Sequence, residues 1–339
     1  MNILLISPTS GGIGGIAQHV DGLSQFLTRL GHQVDIISSA NTLTIPIKRL
    51  QNPSFMISSF LKTKFKKNND IIHAHHLAGA LAMKNASGKK ILSIHGVYSK
   101  NIAQLYGKTT SKISKKYEKT VLNLADAITV NSNEGYNYYT EMGFNVVQIP
   151  NAIDLNIIPK KSTRQYENQI IFAGRLSKEK GVEILLETGA HLPDNYHLLI
   201  AGSGPLEEKV KKLAAKKSNI HYLGYQQKQD VLSFIHSSDL LLQPSLEEGI
   251  SSTILEAMGC GTCILASNIE GISEVVQNGK TGVLVEPNNS NALLNEIQDL
   301  LQKKEKRLRM ANEGLEIVKQ YDWQEVGKLY LNFYESILN

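Results

Sequence analysis

The sequence contains few cysteines and no long apolar runs. The first shortage argues against a metal or redox site, and the second argues against a membrane-spanning protein. Its 339 residues contain 2 cysteines, Cys260 and Cys263, in a C-x-x-C arrangement. No second pair completes a zinc site and no thioredoxin-like context surrounds them, so we expect neither a metal nor a redox centre there. No apolar run approaches the roughly 20 residues that cross a bilayer. No basic leader precedes the first strand-like run, and we therefore expect a cytoplasmic protein.

Positive charge is concentrated in the first half of the chain. Residues 1–155 contain 16 Lys and Arg against 8 Asp and Glu, whereas the remainder contains 20 against 23. Segment 53–67 mixes apolar residues with lysines in a pattern typical of a basic amphipathic helix on an anionic membrane surface. An ordinary packed helix with a lysine-rich end has the same pattern. Lysines in segment 100–119 add to this patch, and we expect no nucleic-acid partner.

Strands and helices alternate along the sequence in two series. The apolar run 2–7 leads into a glycine-rich turn and then into apolar residues at helical spacing. The run 169–173 restarts this pattern after the polar stretch 160–168. Short apolar runs that alternate with helical patterns are typical of parallel sheets covered by helices. The sequence therefore predicts an α/β protein of two doubly wound domains with a cleft between them.

The first glycine-rich turn has more than one interpretation. Residues 12–17 satisfy the G-x-G-x-x-A pattern of dinucleotide-binding folds. A dehydrogenase would need an acidic residue at the end of its second strand to hold the ribose, but Asp35 stands near the start of that strand. The interpretation as an NAD-dependent oxidoreductase therefore depends on the glycine pattern alone. A simple tight turn is the structural alternative.

Histidines follow two predicted strands, at the edge where ligands bind in open α/β sheets. Segment 70–76 reads DIIHAHH, and the next strand leads to His95. The histidines of the first segment suggest a metal site. No nearby carboxylate or cysteine completes a ligand set, so we expect no bound metal. For His95, an ordinary hydrogen-bonded loop histidine is the alternative to a functional role.

Two cations lie where the first strand of the second half joins its helix. Arg175 and Lys180 belong to the segment GRLSKEKG, residues 174–181. Fixed cations beside a helix N-terminus stabilise a diphosphate, both in a bound ligand and in a departing one. A solvated charged turn is the alternative. The strand 197–201, which leads to Gly204, repeats the arrangement of a strand followed by glycine.

The stretch PSLEEGISSTILEAMGCG, residues 244–261, contains two carboxylates. Glu248 follows a predicted buried strand and Glu256 lies within a predicted helix. Eight helical residues span roughly 12 Å, so the pair could hold two ends of one elongated ligand. Between them, Gly249 lets the backbone come close to a ligand, and the N–H groups of the first helical turn favour binding of an anion. Alternatively, Thr253 and Glu256 form a capping box, in which Glu256 only bonds the backbone.

The same stretch resembles the E-x7-E signature of retaining glycosyltransferases of the GT-B fold, family 4. The segments GRLSKEKG, GISEVVQNGKTGVLVEPNN and VVQIPNAID are similar to further motifs of that family. The chain departs from the family at Cys263, where proline is usual. The resemblance implies two Rossmann-like domains with an interdomain cleft. Residues 1–155 would form the acceptor-side domain, residues 156–320 the nucleotide-sugar-binding domain, and residues 321–339 a helix that packs back on the first domain.

The resemblance also implies roles for particular residues. Glu248 would contact the transferred sugar, Glu256 the ribose, and His95 the sugar from the other domain, while Arg175 and Lys180 would bind the donor diphosphate. The other donor-binding residues would be Gly14, Gly15, Gly204, Leu223, Gly249, Ile250, Ser251, Ser252 and Thr253. The family needs no cofactor and generally no protein-bound metal.

The activity implied by the resemblance is that of a retaining hexosyltransferase. It would move a sugar from a nucleotide-diphosphate sugar, such as a UDP- or GDP-sugar, to a glycan or lipid-linked acceptor in polysaccharide or glycolipid biosynthesis. Peripheral contact at the inner membrane face is a hypothesis that follows from the basic segment. A GT-B sugar-nucleotide epimerase would use the same donor cleft without an acceptor. A non-catalytic nucleotide-binding scaffold is hard to reconcile with two carboxylates and two cations.

Overall fold

Two six-stranded parallel sheets form the framework, one in each of two compact units. The computed structural model describes residues 1–9, 14–45, 47, 50–66, 68–97, 116–162 and 164–339. Unit 1 contains Met1–Ala152 and Trp323–Asn339, and unit 2 contains Ile153–Asp322. Two parallel sheets with flanking helices confirm the predicted α/β class and its two doubly wound sheets.

The two units divide close to residues 155 and 320, where the sequence places the domain boundaries. The observed divisions follow Ala152 and Asp322. The difference has a local cause, because the N–H of Ile153 donates to the carbonyl of Tyr321 at 2.8 Å. The N–H of Leu155 also donates to Asp322 Oδ2 at 3.0 Å. Both ends of unit 2 are thus hydrogen-bonded to each other.

Unit 1 has the strand order β2-β1-β3-β4-β5-β6. The strands are β1 (Asn2–Ile6), β2 (Gln33–Ile37), β3 (Ile71–His75), β4 (Lys89–Ile94), β5 (Ala127–Val130) and β6 (Val146–Gln148). The helices described before the second unit are α1 (Gly15–Arg29), α2 (Gln51–Thr63), α3 (Leu77–Met83) and α4 (Asn133–Glu141). Residues 116–122 are also helical.

Unit 2 has the strand order β12-β11-β10-β7-β8-β9. The strands are β7 (Gln169–Ala173), β8 (His197–Ala201), β9 (Ile220–Gly224), β10 (Leu240–Gln243), β11 (Cys263–Ser267) and β12 (Val283–Val285). The helices are α5 (Val182–Ala190), α6 (Glu207–Ala214), α7 (Lys228–Ser237), α8 (Ser252–Gly259), α9 (Glu270–Ser273), α10 (Ser290–Gln302) and α11 (Lys304–Val318).

Strand β1 shows why the strands are continuous apolar runs in the sequence. Leu4 and Ile6 pack in one cluster with Phe55 of α2, whereas Ile3 and Leu5 pack in another cluster that includes residues of α1. Because helices cover both faces of the sheet, successive strand positions are all buried. The carboxyl ends of the parallel strands meet at one edge of each sheet, and the polar residues that follow them are brought together there.

Helix α12 (Trp323–Leu338) belongs to unit 1 and packs against α1 at close range. A Cβ atom on Gly22 would come within 2.3 Å of Trp323 Nε1, and one on Gly327 within 2.5 Å of the Phe26 ring. Glycine at both positions is therefore what lets the two helices approach each other. Leu329, which the helical spacing places on the buried face, is instead 46% exposed.

Candidate functional site

The carboxylate of Glu248 lies in a network of polar side chains at the carboxyl edge of the unit 2 sheet. Its Oε1 accepts hydrogen bonds from Lys180 Nζ at 2.5 Å, Ser245 Oγ at 3.0 Å and Gln243 Nε2 at 3.2 Å. The side chain is 8% exposed. A buried carboxylate requires charge compensation, and Lys180 supplies it. The structure thus brings together two residues that lie 68 positions apart in the sequence.

The backbone around β7 and β10 explains how Lys180 reaches Glu248. These two strands are neighbours, so the loops that follow them lie side by side. Gly181 has a φ of +66°, and a Cβ atom there would be 1.8 Å from the carbonyl oxygen of Pro244. The N–H of Leu246 donates to the carbonyl of Glu179 at 2.9 Å. The two loops are therefore in direct backbone contact, and a side chain at Gly181 would separate them.

Glu256 is paired with a lysine that the sequence did not indicate. Glu256 Oε1 accepts a short hydrogen bond from Lys228 Nζ, with the carboxylate side chain 7% exposed. The capping-box interpretation is wrong, because Ser251 rather than Thr253 is the N-cap of α8. Glu256 consequently lies in the second turn of the helix, beyond the reach of a capping box.

The helix N-termini at this edge offer N–H groups to an anion. Ser251, the N-cap of α8, makes no side-chain capping hydrogen bond, and neither does Gly181, the N-cap of α5. The first-turn N–H groups of α8, which include those of Ser252 and Thr253, have no partner within their own helix. Arg175 is exposed beside α5, and among the described carboxylates none forms an ion pair with it.

The remaining donor-binding predictions of unit 2 fall on turns at the same edge. Gly249 is half-buried, and Ile250 is 6% exposed. Gly204 follows β8, and a Cβ atom there would lie 2.5 Å from the carbonyl oxygen of Leu176. The carbonyl of Leu223, at the end of β9, accepts a hydrogen bond from Gln226 Nε2 at 2.5 Å. No bound molecule tests these contacts, so they stay predictions.

His95 follows β4 of unit 1 and belongs to a cluster of four histidines: His19, His73, His75 and His95. The ring centroid of His19 lies 5.3 Å from that of His95 and 5.6 Å from that of His75, which is 3.9 Å from that of His73. Within the described residues, neither ring nitrogen of His75 has a hydrogen-bond partner, and His95 Nε2 also has none. The cluster is therefore a dense and incompletely satisfied polar group inside unit 1.

Helix α12 supplies hydroxyl groups to this histidine cluster. Tyr330 Oη lies 3.0 Å from His19 Nε2, and Tyr334 Oη lies 2.6 Å from His73 Nδ1. Burial lowers the pKa of His73 to about 3 and that of His95 to about 4, and it lowers the pKa of His75 well below the usual value. All three imidazoles are accordingly neutral at physiological pH.

The glycine-rich turn of unit 1 is described only in part. Residues 10–13, including the first glycine of the dinucleotide pattern, lie outside the described residues. Gly14 is the N-cap of α1 with a φ of +121°, and Gly15 is the first residue of that helix. Both are exposed. Their assignment to donor binding stays a prediction.

The described residues contain no group of three or more His, Cys, Asp or Glu side chains arranged to hold a metal ion. This includes the histidines of β3, although His73 and His75 lie on one face of the strand. Cys260 and Cys263 are both free and buried. Burial raises the pKa of each thiol to about 12. Thiols with such a high pKa are unreactive at neutral pH.

The basic segment of unit 1 forms helix α2, whose outer face carries apolar side chains. Ile57 and Leu61 are 65% and 51% exposed, and Phe65, in the turn after the helix, is 85% exposed, while Phe55 on the opposite side of α2 is fully buried. Of the nearby lysines, Lys66 pairs with Asp35 at 2.6 Å. The predicted contributions of Lys67 and of the lysines at 100, 108, 112 and 115 lie outside the described residues. None of the described helices is long and apolar enough to span a bilayer.

A cavity of about 460 Å³ lies away from these residues, at the opposite edge of the unit 2 sheet. Its lining includes Arg164, His236, Asp239 and Arg307. Asp239 at the start of β10 accepts hydrogen bonds from both arginines, at 2.8 Å in each case. The arginines are thus engaged within the protein.

Models of known protein families match most of the chain. The family model described as Glycosyl transferases group 1 matches residues 154–316, and that described as Glycosyltransferase Family 4 matches residues 13–157. The phosphatidyl-myo-inositol mannosyltransferase of Mycobacterium leprae is 24% identical, with 99% of this chain and 97% of the relative covered.

Solved structures share the fold at lower identity. Sucrose-phosphate synthase of Thermosynechococcus elongatus has a TM-score of 0.85 at 18% identity, with 99% of both chains covered. The Anabaena protein HepE in complex with UDP-glucose has a TM-score of 0.77 at 18% identity, with 99% of this chain and 100% of that chain covered. At these identities the likeness establishes the two-unit architecture.

Proposed function

Because this chain belongs to family 4 of the GT-B glycosyltransferases, we propose that it is a retaining hexosyltransferase with a nucleotide-diphosphate sugar as donor. The acceptor is a glycan or a lipid-linked molecule. Two named proteins support these choices. HepE is known in complex with UDP-glucose, and the Mycobacterium leprae relative is named for transfer of mannose to phosphatidyl-myo-inositol.

The observation that carries the proposal is the Lys180–Glu248 pair beside two helix N-termini without side-chain caps. A nucleotide sugar has a neutral sugar joined to an anionic diphosphate. The edge of the unit 2 sheet offers a carboxylate for the sugar and cations for the diphosphate. Glu248 accepts hydrogen bonds from sugar hydroxyls. Lys180, Arg175 and the N-terminus of α8 bind the diphosphate. Lys180 would link the sugar-binding and diphosphate-binding groups, since its ammonium lies 2.5 Å from Glu248 Oε1.

The bond that breaks joins the anomeric carbon to the terminal phosphate oxygen of the donor. Its electron pair goes to the diphosphate, and positive charge develops on the sugar ring. Cations and N–H groups fixed around the diphosphate stabilise this charge separation. The acceptor hydroxyl forms the new bond on the same face, and its proton passes to an oxygen of the departing phosphate. The step requires no cofactor, no metal and no covalent enzyme intermediate, and it retains the anomeric configuration.

A thermal-shift panel tests the donor assignment. UDP, GDP, ADP and NAD, with the corresponding sugar nucleotides, are added to the protein and to Glu256→Ala. A ligand at 100 times its dissociation constant stabilises a protein by about 2.7 kcal/mol. We expect selective stabilisation by one nucleoside diphosphate and its sugars, and loss of that effect in the variant.

Two results of this panel would contradict the proposal. Stabilisation by NAD alone would favour an oxidoreductase. Stabilisation by none of the compounds would contradict the assignment of a nucleotide-diphosphate sugar as the donor. Once the donor is known, incubation without an acceptor tests for an epimerase. Release of an isomerised sugar nucleotide would overturn the transferase assignment.

We also propose that unit 1 contacts an anionic membrane surface through the outer face of α2. Ile57 and Leu61 are exposed at four-residue spacing on α2, and exposed Phe65 lies in the turn just after the helix ends at Thr63, so the three form one apolar stripe at this end of the helix. Exposed Lys64 lies beside this stripe. An interfacial helix inserts such a stripe among acyl chains while its lysines contact lipid phosphates. A lipid-linked acceptor would then be delivered at the same surface.

Vesicle cosedimentation tests the membrane contact. We expect binding to vesicles that contain phosphatidylglycerol, weaker binding at high salt, and little binding to phosphatidylcholine alone. Replacing Ile57, Leu61 and Phe65 together by serine is expected to weaken binding at least about tenfold, because the variant lacks the apolar area whose transfer from water into the membrane favours binding. Leu308→Ser, which changes a leucine that is 51% exposed in unit 2, is the matched control. Binding that depends on neither lipid charge nor the stripe would contradict the proposal.

A further inference from the structure

The cavity at the amino edge of the unit 2 sheet contains two arginines that share one carboxylate. Asp239 Oδ2 accepts a hydrogen bond from Arg164 Nη1 at 2.8 Å, and Asp239 Oδ1 accepts one from Arg307 Nη2 at 2.8 Å. All three residues line the cavity of about 460 Å³. In the described part of the chain, neither arginine forms an ion pair with any other carboxylate. This triad therefore has one positive charge in excess of its negative charge.

The excess charge of the triad is largely withdrawn from water. The side chains of Asp239 and Arg307 are each 10% exposed, and that of Arg164 is 45% exposed. Asp299 of α10 also pairs with two cations, but the side chains of that group are 31% to 59% exposed, so water compensates their charge. A charge that is withdrawn from water is costly unless an opposite charge lies close to it. An anion in the cavity would supply that charge.

Both arginines have N–H groups left for such an anion. A guanidinium has five N–H donors. Arg307 uses three of them, one to Asp239 and one each to the carbonyls of Leu300 and Leu301, both at 2.7 Å. Arg164 uses one, to Asp239. Because the planar guanidinium presents its donors in a fixed fork, the remaining N–H groups suit the oxygens of a phosphate or a carboxylate.

The rim of the cavity carries a further cation. Lys304, the first residue of α11, is exposed and belongs to the lining, and no described carboxylate pairs with it. The lining thus contains three cations, Arg164, Lys304 and Arg307, against the two carboxylates of Asp239 and Glu167. Glu167 is exposed, so water and salt screen its charge. The balance of charge in the cavity favours an anionic ligand.

We propose that this cavity binds a small organic phosphate, with the phosphate group on Arg164, Arg307 and Lys304. A phosphate monoester carries a charge of about −1.5 to −2 at pH 7, and three cations favour it over a carboxylate with a single charge. Sites for small molecules typically have volumes of about 300–1,000 Å³. The cavity therefore has room for the organic part of the ligand as well. Its described lining shares no residue with the donor-site candidates, so the two sites are independent of each other.

Isothermal titration tests this site with three probes: glycerol 2-phosphate, inorganic phosphate and citrate. Each is added at an ionic strength that NaCl holds constant. We expect the wild-type protein to bind glycerol 2-phosphate, and Arg164→Gln to weaken that binding about tenfold or more through loss of charge-assisted hydrogen bonds. The variant keeps the Asp239–Arg307 pair, and the replaced side chain is 45% exposed, so it should fold. Lys304→Gln is expected to weaken binding by a smaller factor, because Lys304 is exposed at the rim.

Two control variants locate the binding. Arg309→Gln removes an exposed cation of α11 that does not line the cavity, and Lys180→Met removes a cation at the carboxyl edge of the sheet. Both are expected to bind glycerol 2-phosphate as the wild-type protein does. Equal binding by Arg164→Gln and the wild-type protein would overturn the proposal, and so would binding that is lost in Lys180→Met. Binding of citrate alone, or of none of the probes, would also overturn it. The transferase assignment would stand in each case, because the nucleotide panel tests it separately.

Discussion

Replacement of Glu248 by glutamine is expected to lower kcat by about 10² to 10³-fold, a loss typical for removal of one preorganised electrostatic group. Glutamine preserves the shape of the side chain and can still accept hydrogen bonds from Ser245 and Gln243. It cannot balance the charge of Lys180, and its carbonyl oxygen is a weaker acceptor for sugar hydroxyls than a carboxylate. The effect should fall on turnover rather than on folding, because the Lys180 side chain is 26% exposed and can regain water.

Steady-state kinetics with the donor identified by thermal shift measure this effect. The control is Glu316→Gln, which breaks an exposed lysine–glutamate pair whose side chains are 62% and 69% exposed. An exposed pair contributes little to stability, so the control should retain its activity. Near-normal kcat in Glu248→Gln would show that the central motif does not take part in transfer.

Unit 1 is expected to lose stability steeply as the pH falls below about 6.5. His19, His73 and His75 are at most 3% exposed. Burial, reinforced by neighbouring imidazoles, lowers the pKa of each in the folded protein, to about 3 for His73. In the unfolded chain they take up protons near their ordinary pKa of about 6.5. The unfolded state therefore binds more protons as the pH falls, and stability is fully present above that pH and is lost below it.

The expected slope is about 1.4 kcal/mol per pH unit for each histidine, or about 5.5 kcal/mol per pH unit for these three and His95, whose pKa burial also lowers, to about 4. The single tryptophan, Trp323, lies in unit 1 with its ring 5.1 Å from that of His19, so its fluorescence reports on this unit. Urea denaturation followed by that fluorescence at several pH values measures the slope. His75→Leu should reduce it by about 1.4 kcal/mol per pH unit, whereas exposed His191→Ala should not change it. A flat profile would mean that the cluster is already protonated or hydrated in the folded state.

The strands and the central carboxylates could be predicted because their signals are local. A strand buried on both faces leaves a continuous apolar run, as in β1 and β7, and the helices between such runs fix the α/β class. Glu248 and Lys180 could be predicted as site candidates because each lies in a loop between a strand and the helix that follows it. Their contact depends on the neighbouring positions of β7 and β10 in the sheet, which the order of strands along the chain does not reveal.

The side-chain partners that the sequence does not predict are those that only tertiary packing brings together. Lys228 is one of many lysines at helix starts, and nothing in its local pattern distinguishes it until α7 packs beside α8. His19 occupies an ordinary buried helical position, and its partner Tyr330 lies 311 residues away. The capping-box alternative failed for a different reason. Helix α8 begins at Ser252, so Glu256 lies two residues beyond the capping-box position, and an error of two residues in a predicted helix start was enough to suggest the wrong partner.

The close packing of α1 and α12 through Gly22 and Gly327 has a consequence for how the chain is made. The strands of unit 1 precede unit 2 in the sequence, but its helix α12 follows the whole of unit 2. During synthesis, the surface of α1 that receives Trp323 must therefore stay uncovered while about 170 further residues are added, at roughly 5–20 residues per second. Unit 2 can acquire its native structure in that interval. Unit 1, whose strands are synthesised before unit 2, can thus complete its folding only after unit 2 has been synthesised.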